Sequence, residues 1–422
     1  MAREGHFGGY MEVKKYCLML SFIFLVACND SAEDKIIDSP NNPANQPDLL
    51  CKKVEGQYLI RYYSGEIKKV YVDSREDLIE NYIEPELNEI EYVHSEVRIG
   101  IPKIENGIQA QAYAGVQWPH ERMHTDAAWS KGIDGSGIRV AVIDSGVNVQ
   151  HPQLKDAILI NDGEIPNNGI DDDGNDYVDD YLGYDFAAES GDINDLNGHG
   201  THVAGTIAAQ HQHESLPKGV APGAKILALN FMDANGMGDT YHAIQAIKYA
   251  AKRGVQIINA SWGSSGCTDA TVALRDTIAE VTAKGILFVA ASGNNNLDLD
   301  IYDSYPTSFG LQGVLSVSAL TPSGLTASFS NYGPNSVDII APGQSIYSTY
   351  AGEEEYRYLS GTSMATPMVA GAAALVLQMQ NGLSPLAAKN AILESIEPGY
   401  FPVISRGELS VQNLVERFLP SE

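Results

Sequence analysis

The stretch RVAVIDSGV, residues 139–147, decides the fold. Val140 to Ile143 run without the alternation of a half-solvated strand, and Asp144 closes the run. An unbroken, largely β-branched run fits a strand buried on both faces. The pattern returns in AKILALN, VQIINAS, GILFVAAS and GVLSVSA. Between these lie TYHAIQAIKYAAKRG and ATVALRDTIAEVTAKG, whose apolar residues recur at helical spacing. Buried strands alternating with amphipathic helices predict an α/β domain. Its expected form is a doubly wound, mostly parallel sheet with helices on both faces. Ligands in such sheets bind beyond the carboxyl ends of the strands. Asp144 stands at such an end, although an Asp closing a buried strand is also an ordinary cap.

The chain has 422 residues, 44% of them hydrophobic, which suits one large domain with additions. Its formal net charge of −27 argues against nucleic acid as a partner, because phosphate binding needs clustered Lys and Arg. The N-terminal run MEVKKYCLMLSFIFLVACND has two lysines and then a short apolar stretch, the pattern of a secretory signal over residues 1–28, with translation expected from Met11. Its end, Leu25-Val26-Ala27-Cys28, resembles the lipobox of bacterial lipoproteins. That resemblance implies a lipidated Cys28, a membrane anchor and a place in the bacterial cell envelope; plain secretion is the alternative. Residues 29–48 are polar and rich in Pro and Asn and read as a flexible tether. Residues 49–104 hold two strand-like runs, GQYLIRYY and IEYVHSEVRI, around a helical SREDLIENYI, and read as a small α+β prodomain. A linker or cleavage region at 105–117 and a catalytic domain at 118–422 complete the expected order. Outside the signal only Cys51 and Cys267 remain, as a pair or as two separate thiols.

Two further stretches carry chemistry. NGHGTHVAGTIAAQ, residues 197–210, reads as a loop entering a helix, with His199 between two glycines and His202 three residues on. That spacing puts both imidazoles on one side of a helix. It suits half a zinc site, or one catalytic base and one packed histidine, yet no further ligand motif follows. LSGTSMATPMVAGAAALVLQM, residues 359–379, places Thr362-Ser363 at the start of an Ala-rich helix, with Pro367 compatible only near the first turn. A hydroxyl there is usually a cap, but the helix N-terminus also offers N–H donors to a developing oxyanion.

Taken together in the order Asp, His, Ser, the blocks AVIDSGV, NGHGTHVAG and GTSMATPMVAGAAAL resemble the signatures of the subtilisin-like serine proteases, the subtilases. His199 stands 55 residues after Asp144, and Ser363 stands 164 after His199. The resemblance covers about residues 118–416 and implies the subtilisin fold and peptide hydrolysis through an acyl-enzyme. It makes Ser363 the nucleophile, His199 the base and Asp144 its orienting partner. His202 becomes a packed, hydrogen-bonded residue. Within FVAASGNNN, Asn294 resembles the family's oxyanion-hole donor. NASWGSSG resembles the edge that pairs with substrate, giving Ser261, Trp262 and Gly263 as substrate-binding residues, with Trp262 either lining a pocket or packing on the sheet. SYPTSFG resembles a wall of the specificity pocket, with Ser304 where the family commonly has Gly. Asp298, Asp300 and Asp303 just upstream suggest tolerance for a basic residue there. Met368 departs from the family's usual His after the Pro and is expected to affect packing alone. The family also implies a prodomain that the enzyme cleaves, peptide or protein substrates, and no cofactor for the chemistry.

One insert is left over. NNGIDDDGNDYVDD, residues 167–180, lies in a span without Lys or Arg from Lys155 to Lys218. Aligned on Gly174 it lacks the first ligand of an EF-hand loop and ends in Asp180 rather than Glu. It resembles calcium-type loops of some subtilases, with Asp171, Asp173 and Asp180 as ligands of a structural calcium; a solvated acidic loop is the alternative. Against the enzyme stand a non-catalytic binding protein on the same scaffold and a metallo-hydrolase using both histidines.

Overall fold

The computed structural model describes residues 52–102, 115–266, 271–352 and 355–419. Cys28, the tether, both remaining cysteines and most of the 105–117 linker lie outside the described residues. Contacts divide the described chain into two compact units, residues 54–96 and residues 52–53 with 97–419.

In the smaller unit, β1 (Lys53–Tyr62) and β2 (Ile67–Tyr71) form an antiparallel hairpin with Tyr58 opposite Val70. Gly65 closes the turn with a φ of +86°, a conformation that costs glycine little. Ser74 starts a short helix, Arg75–Leu78, by accepting the Asp77 N–H on its hydroxyl. β3 (Ile90–Gly100) lies on the other side of β1 and begins in this unit. Ile60, Tyr62, Val70, Val72, Leu78, Ile90 and Val93 make the unit's core.

The larger unit is built on a nine-stranded sheet. Its strands are β4 (Arg139–Asp144), β5 (Gly183–Asp185), β6 (Lys225–Asn230), β8 (Ile257–Ala260), β10 (Leu287–Ala291), β12 (Val314–Leu320), β13 (Ile339–Pro342), β16 (Glu397–Pro398) and β17 (Gly407–Glu408). The intervening β7 (Met237–Asp239), β9 (Ser264–Ser265), β11 (Ser304–Tyr305), β14 (Ile346–Thr349) and β15 (Tyr356–Leu359) lie outside that sheet. The order is β16-β17-β13-β12-β10-β8-β4-β6-β5, parallel except for β16 on β17. β4 therefore has β6 on one flank and β8 on the other, so the winding reverses beside it. Such a reversal leaves a crevice at the carboxyl ends, where Asp144 stands. The apolar runs that lack alternation are buried throughout, as a sheet covered on both faces requires.

Helix Thr240–Lys252 buries Ala243, Ile244, Ala246, Ile247 and Ala250, one face of a 3.6-residue period, and packs on helix Val272–Ala283. Helix Thr362–Met379 is buried from Thr362 to Leu377 and packs on helix His199–Ala208 and on β8, β10, β12 and β13. By length and composition it is apolar enough to cross a membrane, but it is the core helix of this unit. Its small residues permit that depth: a Cβ on Gly371 would stand 2.6 Å from the Val220 side chain. Met368 is buried in the same core. Pro367 lies beyond the first turn where it was expected. It cannot donate to the carbonyl four residues back, that of Ser363, and the Ser261 hydroxyl donates to that carbonyl instead at 2.9 Å.

Candidate active site

Asp144 and His199 meet at the carboxyl end of β4. The His199 Nδ1 lies 2.7 Å from the Asp144 Oδ1, and both side chains are fully buried. With the carboxylate on Nδ1, the proton sits there and Nε2 is left as the basic nitrogen. That Nε2 is buried and has no partner among the described residues.

Glycines make this approach feasible. A Cβ on Gly200 would come within 2.1 Å of the Gly146 carbonyl, and one on Gly198 within 2.3 Å of the Tyr350 ring. Gly198 also has a φ of +92° as the residue that opens the helix.

Sequence reasoning missed the residue that organises this junction. Asp195, 5% exposed, accepts from the Ser145 and Thr201 hydroxyls at 2.9 and 2.6 Å. It also accepts the backbone N–H groups of Asn197, Gly198 and Thr201. The Ser145 hydroxyl in turn accepts the Gly200 N–H. Burial pushes the Asp195 carboxyl above the usual range, against the hydrogen bonds from Thr201, Gly198 and Ser145 that favour its charge. An Asp three residues before the glycine that opens a helix is a readable signal for such backbone capping.

His202 plays no part in a metal site with His199. Its Nε2 donates to the carbonyls of Ile346 and Arg357, both at 3.1 Å, tying the β14–β15 hairpin to the helix. Burial, with the neighbouring His199, pushes its pKa down to about 3, so it stays neutral.

Ser363 is the second residue of the long core helix, two after Gly361, whose backbone is extended. Its hydroxyl donates to the Ser261 carbonyl at 3.0 Å rather than to His199. Asn294 lies three residues beyond β10, beside Gly293, whose φ is +105°. Its Oδ1 accepts both the N–H and the hydroxyl of Thr362, which turns the amide nitrogen toward the Gly361 side. Asn294 and Ser363 are thereby linked through Thr362.

The expected substrate residues divide. Ser261 is hydrogen-bonded to Ser363 twice, through its hydroxyl and its carbonyl. Gly263 exchanges backbone hydrogen bonds with Gly100. Ser304 is buried and pairs with Ser265 across β11 and β9, and its hydroxyl lies 3.4 Å from where a Gly293 Cβ would be. Trp262 packs on the sheet: it is fully buried, its indole N–H donates to the Ile143 carbonyl, and its ring meets Phe231 edge-on. Its side chain is therefore part of the core. Asp300 is taken up by the Asn335 amides and the Ser336 hydroxyl, and Asp298 by the Asp300 N–H, so both fold their own loop rather than face a basic side chain.

In the acidic insert, carboxylate oxygens of Glu164, Asp173 and Asp180 lie within 4.8 Å of one another. Glu164 takes the place expected of Asp171. The Asp171 carboxylate accepts the N–H groups of Gly174, Asn175 and Asp176 in its own turn, which is why it does not join the group. Although partial desolvation pushes its pKa up, those bonds hold it below the usual carboxylate range. The Asp180 carboxylate is buried against Tyr249 and Asn175, with Arg253 3.7 Å away.

Residues 135–414 match the subtilase family. The chain is 39% identical over 264 residues to a thermophilic serine proteinase of a Bacillus species, a match covering 63% of this chain and 58% of that protein. It is 36% identical to subtilisin Savinase of Lederbergia lenta over 65% of this chain and 89% of that one. It is 35% identical to a thermostable alkaline protease of Halalkalibacterium halodurans over 74% and 79% respectively. Among solved structures, a cold adapted subtilisin-like serine proteinase matches with a TM-score of 0.52 at 32% identity, over 66% of this chain and 88% of that one.

Proposed function

The chain belongs to the subtilase family of serine endopeptidases, and from that premise we propose that it cleaves peptide bonds through an acyl-enzyme on Ser363, with His199 as base and Asp144 as its partner. One observation carries this assignment. The His199 imidazole is held by Asp144 at 2.7 Å with its second nitrogen buried and without a partner among the described residues. In the first step Nε2 takes the Ser363 hydroxyl proton as the oxygen attacks the substrate carbonyl. Asp144 keeps the tautomer and stabilises the imidazolium. The oxyanion is held by the Ser363 N–H, at the positive end of the long helix, and by the Asn294 amide. His199 then protonates the leaving amine, and water repeats the sequence to release the acyl group. No cofactor enters these steps.

Peptide substrates would add as a strand beside Ser261 and Gly263, with the pocket floor shaped by Ser304. Residues 49–104 act as the chain's own prodomain, removed within 105–117, and Cys28 anchors the enzyme in the bacterial envelope; a secreted form is the alternative. The donor set of Glu164, Asp173 and Asp180 is all oxygen and suits a hard cation such as calcium in a structural role.

Casein hydrolysis tests the assignment. Processed wild type should be active with or without prior chelation at moderate temperature, and Ser363→Ala inactive in both. Activity that survives in Ser363→Ala would overturn the mechanism. An inactive but processed wild type would favour a binding protein.

A further inference from the structure

From Val97 the strand β3 runs along β7, with Arg98 opposite Asp239, Ile99 opposite Gly238 and Gly100 opposite Met237. The Ile101 N–H then donates to the Gly236 carbonyl at 3.0 Å. On its other edge Gly100 exchanges both backbone bonds with Gly263, at 3.1 and 2.9 Å. Residues 97–102 thus lie along the Ser261–Gly263 edge where a peptide substrate is expected, with β7 on their other side. Their register is fixed sterically as well. A Cβ on Gly100 would stand 2.7 Å from the Gly236 carbonyl and 2.5 Å from the Met237 sulfur, so a slip that brought an isoleucine there is excluded.

In an antiparallel ladder, a pair that exchanges both bonds is followed two residues on by another of the same kind. Two residues on from Gly100 and Gly263 stand Pro102 and Ser261. The Ser261 carbonyl is therefore the acceptor for the N–H of residue 102, and proline has none. That carbonyl receives the Ser363 hydroxyl instead, at 3.0 Å, while the His199 Nε2 has no partner among the described residues.

We propose that Pro102 makes residues 97–102 a non-productive occupant of the substrate groove: by leaving the Ser261 carbonyl without a strand N–H, it lets that carbonyl hold the Ser363 hydroxyl away from His199. This rests on the reading of Ser363 and His199 given above. A peptide with an N–H at the same position fills the Ser261 carbonyl, and the hydroxyl then turns to the base. The Ser261 carbonyl so reads whether the residue before the scissile bond is an imino acid, and it protects the chain's own 102–103 bond.

The test is self-cleavage of the full chain at that bond. Water adds across it, leaving a carboxylate on residue 102 and an amine on Lys103. Pro102→Ala and Pro102→Ser both restore the N–H, so both should generate a new N-terminus at Lys103, read by intact mass and N-terminal sequencing. The rate at that bond should rise on the order of 10²-fold or more, the usual contribution of an engaged base. The product should vanish when Ser363→Ala is added. If both variants hydrolyse casein yet cut at 102–103 no faster than wild type, the inference falls and the catalytic reading stands. If no form hydrolyses casein, the catalytic reading falls and takes the inference with it.

Discussion

The junction around Asp195 and the turn around Asp171 in the acidic insert use the same device in different media. In both, a carboxylate gathers backbone N–H groups and shapes a loop. Asp195 does so in the interior, beside Asp144 and His199, with Ser145, Asn197, Gly198 and Thr201 as donors. In the insert, Asp171 takes the N–H groups of Gly174, Asn175 and Asp176 and Asp179 those of Asn168 and Gly169, in turns close to water. Burial raises the Asp195 pKa, whereas hydrogen bonding lowers that of Asp171. The lesson concerns replacement. Water can substitute for an exposed carboxylate, but nothing replaces a buried one, and its donors are then left unpaired.

The largest effect should come from the buried side of the comparison, at the oxyanion. Asn294→Ala removes one side-chain donor, which costs about 10²–10³ in kcat, with KM little changed. A loss confined to KM would instead make Asn294 a residue of substrate binding. Next comes the direct contrast of the two networks. Asp195→Ala strands several buried donors and should cost about 3 kcal/mol or more in chemical denaturation. Asp171→Ala, at the surface, should leave the denaturation midpoint nearly unchanged. Equal losses would break the distinction between them.

A smaller effect follows from the buried histidines. His120, like His202, is held near a pKa of about 3 by burial, whereas the unfolded state titrates near 6.5. The unfolded chain therefore binds more protons between those values. Stability is full above about pH 6.5 and declines as pH falls through the window toward 3. His202→Gln should melt below wild type at pH 8, because its bonds to the β14–β15 hairpin are altered. The gap should narrow at pH 5, where the wild type bears the protonation penalty. A gap that widens in acid would contradict the neutral assignment of His202.

Much of this molecule was legible in its sequence. Unbroken apolar runs such as Val140–Ile143 announced a sheet covered on both faces, because burial on both sides erases alternation. The approach of Asp144 to His199 was implied by the resemblance of the three blocks to the subtilase signatures. What escaped the sequence depended on partners distant along the chain. Trp262 has the composition of a pocket residue, and only the Ile143 carbonyl and the Phe231 ring place it in the core. Glu164 replaced Asp171 because a carboxylate chooses between a shared cluster and its own turn on backbone geometry that spacing does not encode. Asp195 was missed because it sits in a loop with no periodicity, although its distance from Gly198 is a capping signal. The pairing of Gly100 with Gly263 has no local signature at all.

The central claim is that Ser363 is a nucleophile activated by His199. Labelling with an organophosphonate that forms a covalent adduct on activated serines tests it most directly, read by peptide mass on the processed protein. The account predicts a single adduct on the Ser363 peptide, none in Ser363→Ala, and a rate lower by about 10²–10⁴-fold in His199→Ala. An adduct on another residue, or an unchanged rate without His199, would contradict it.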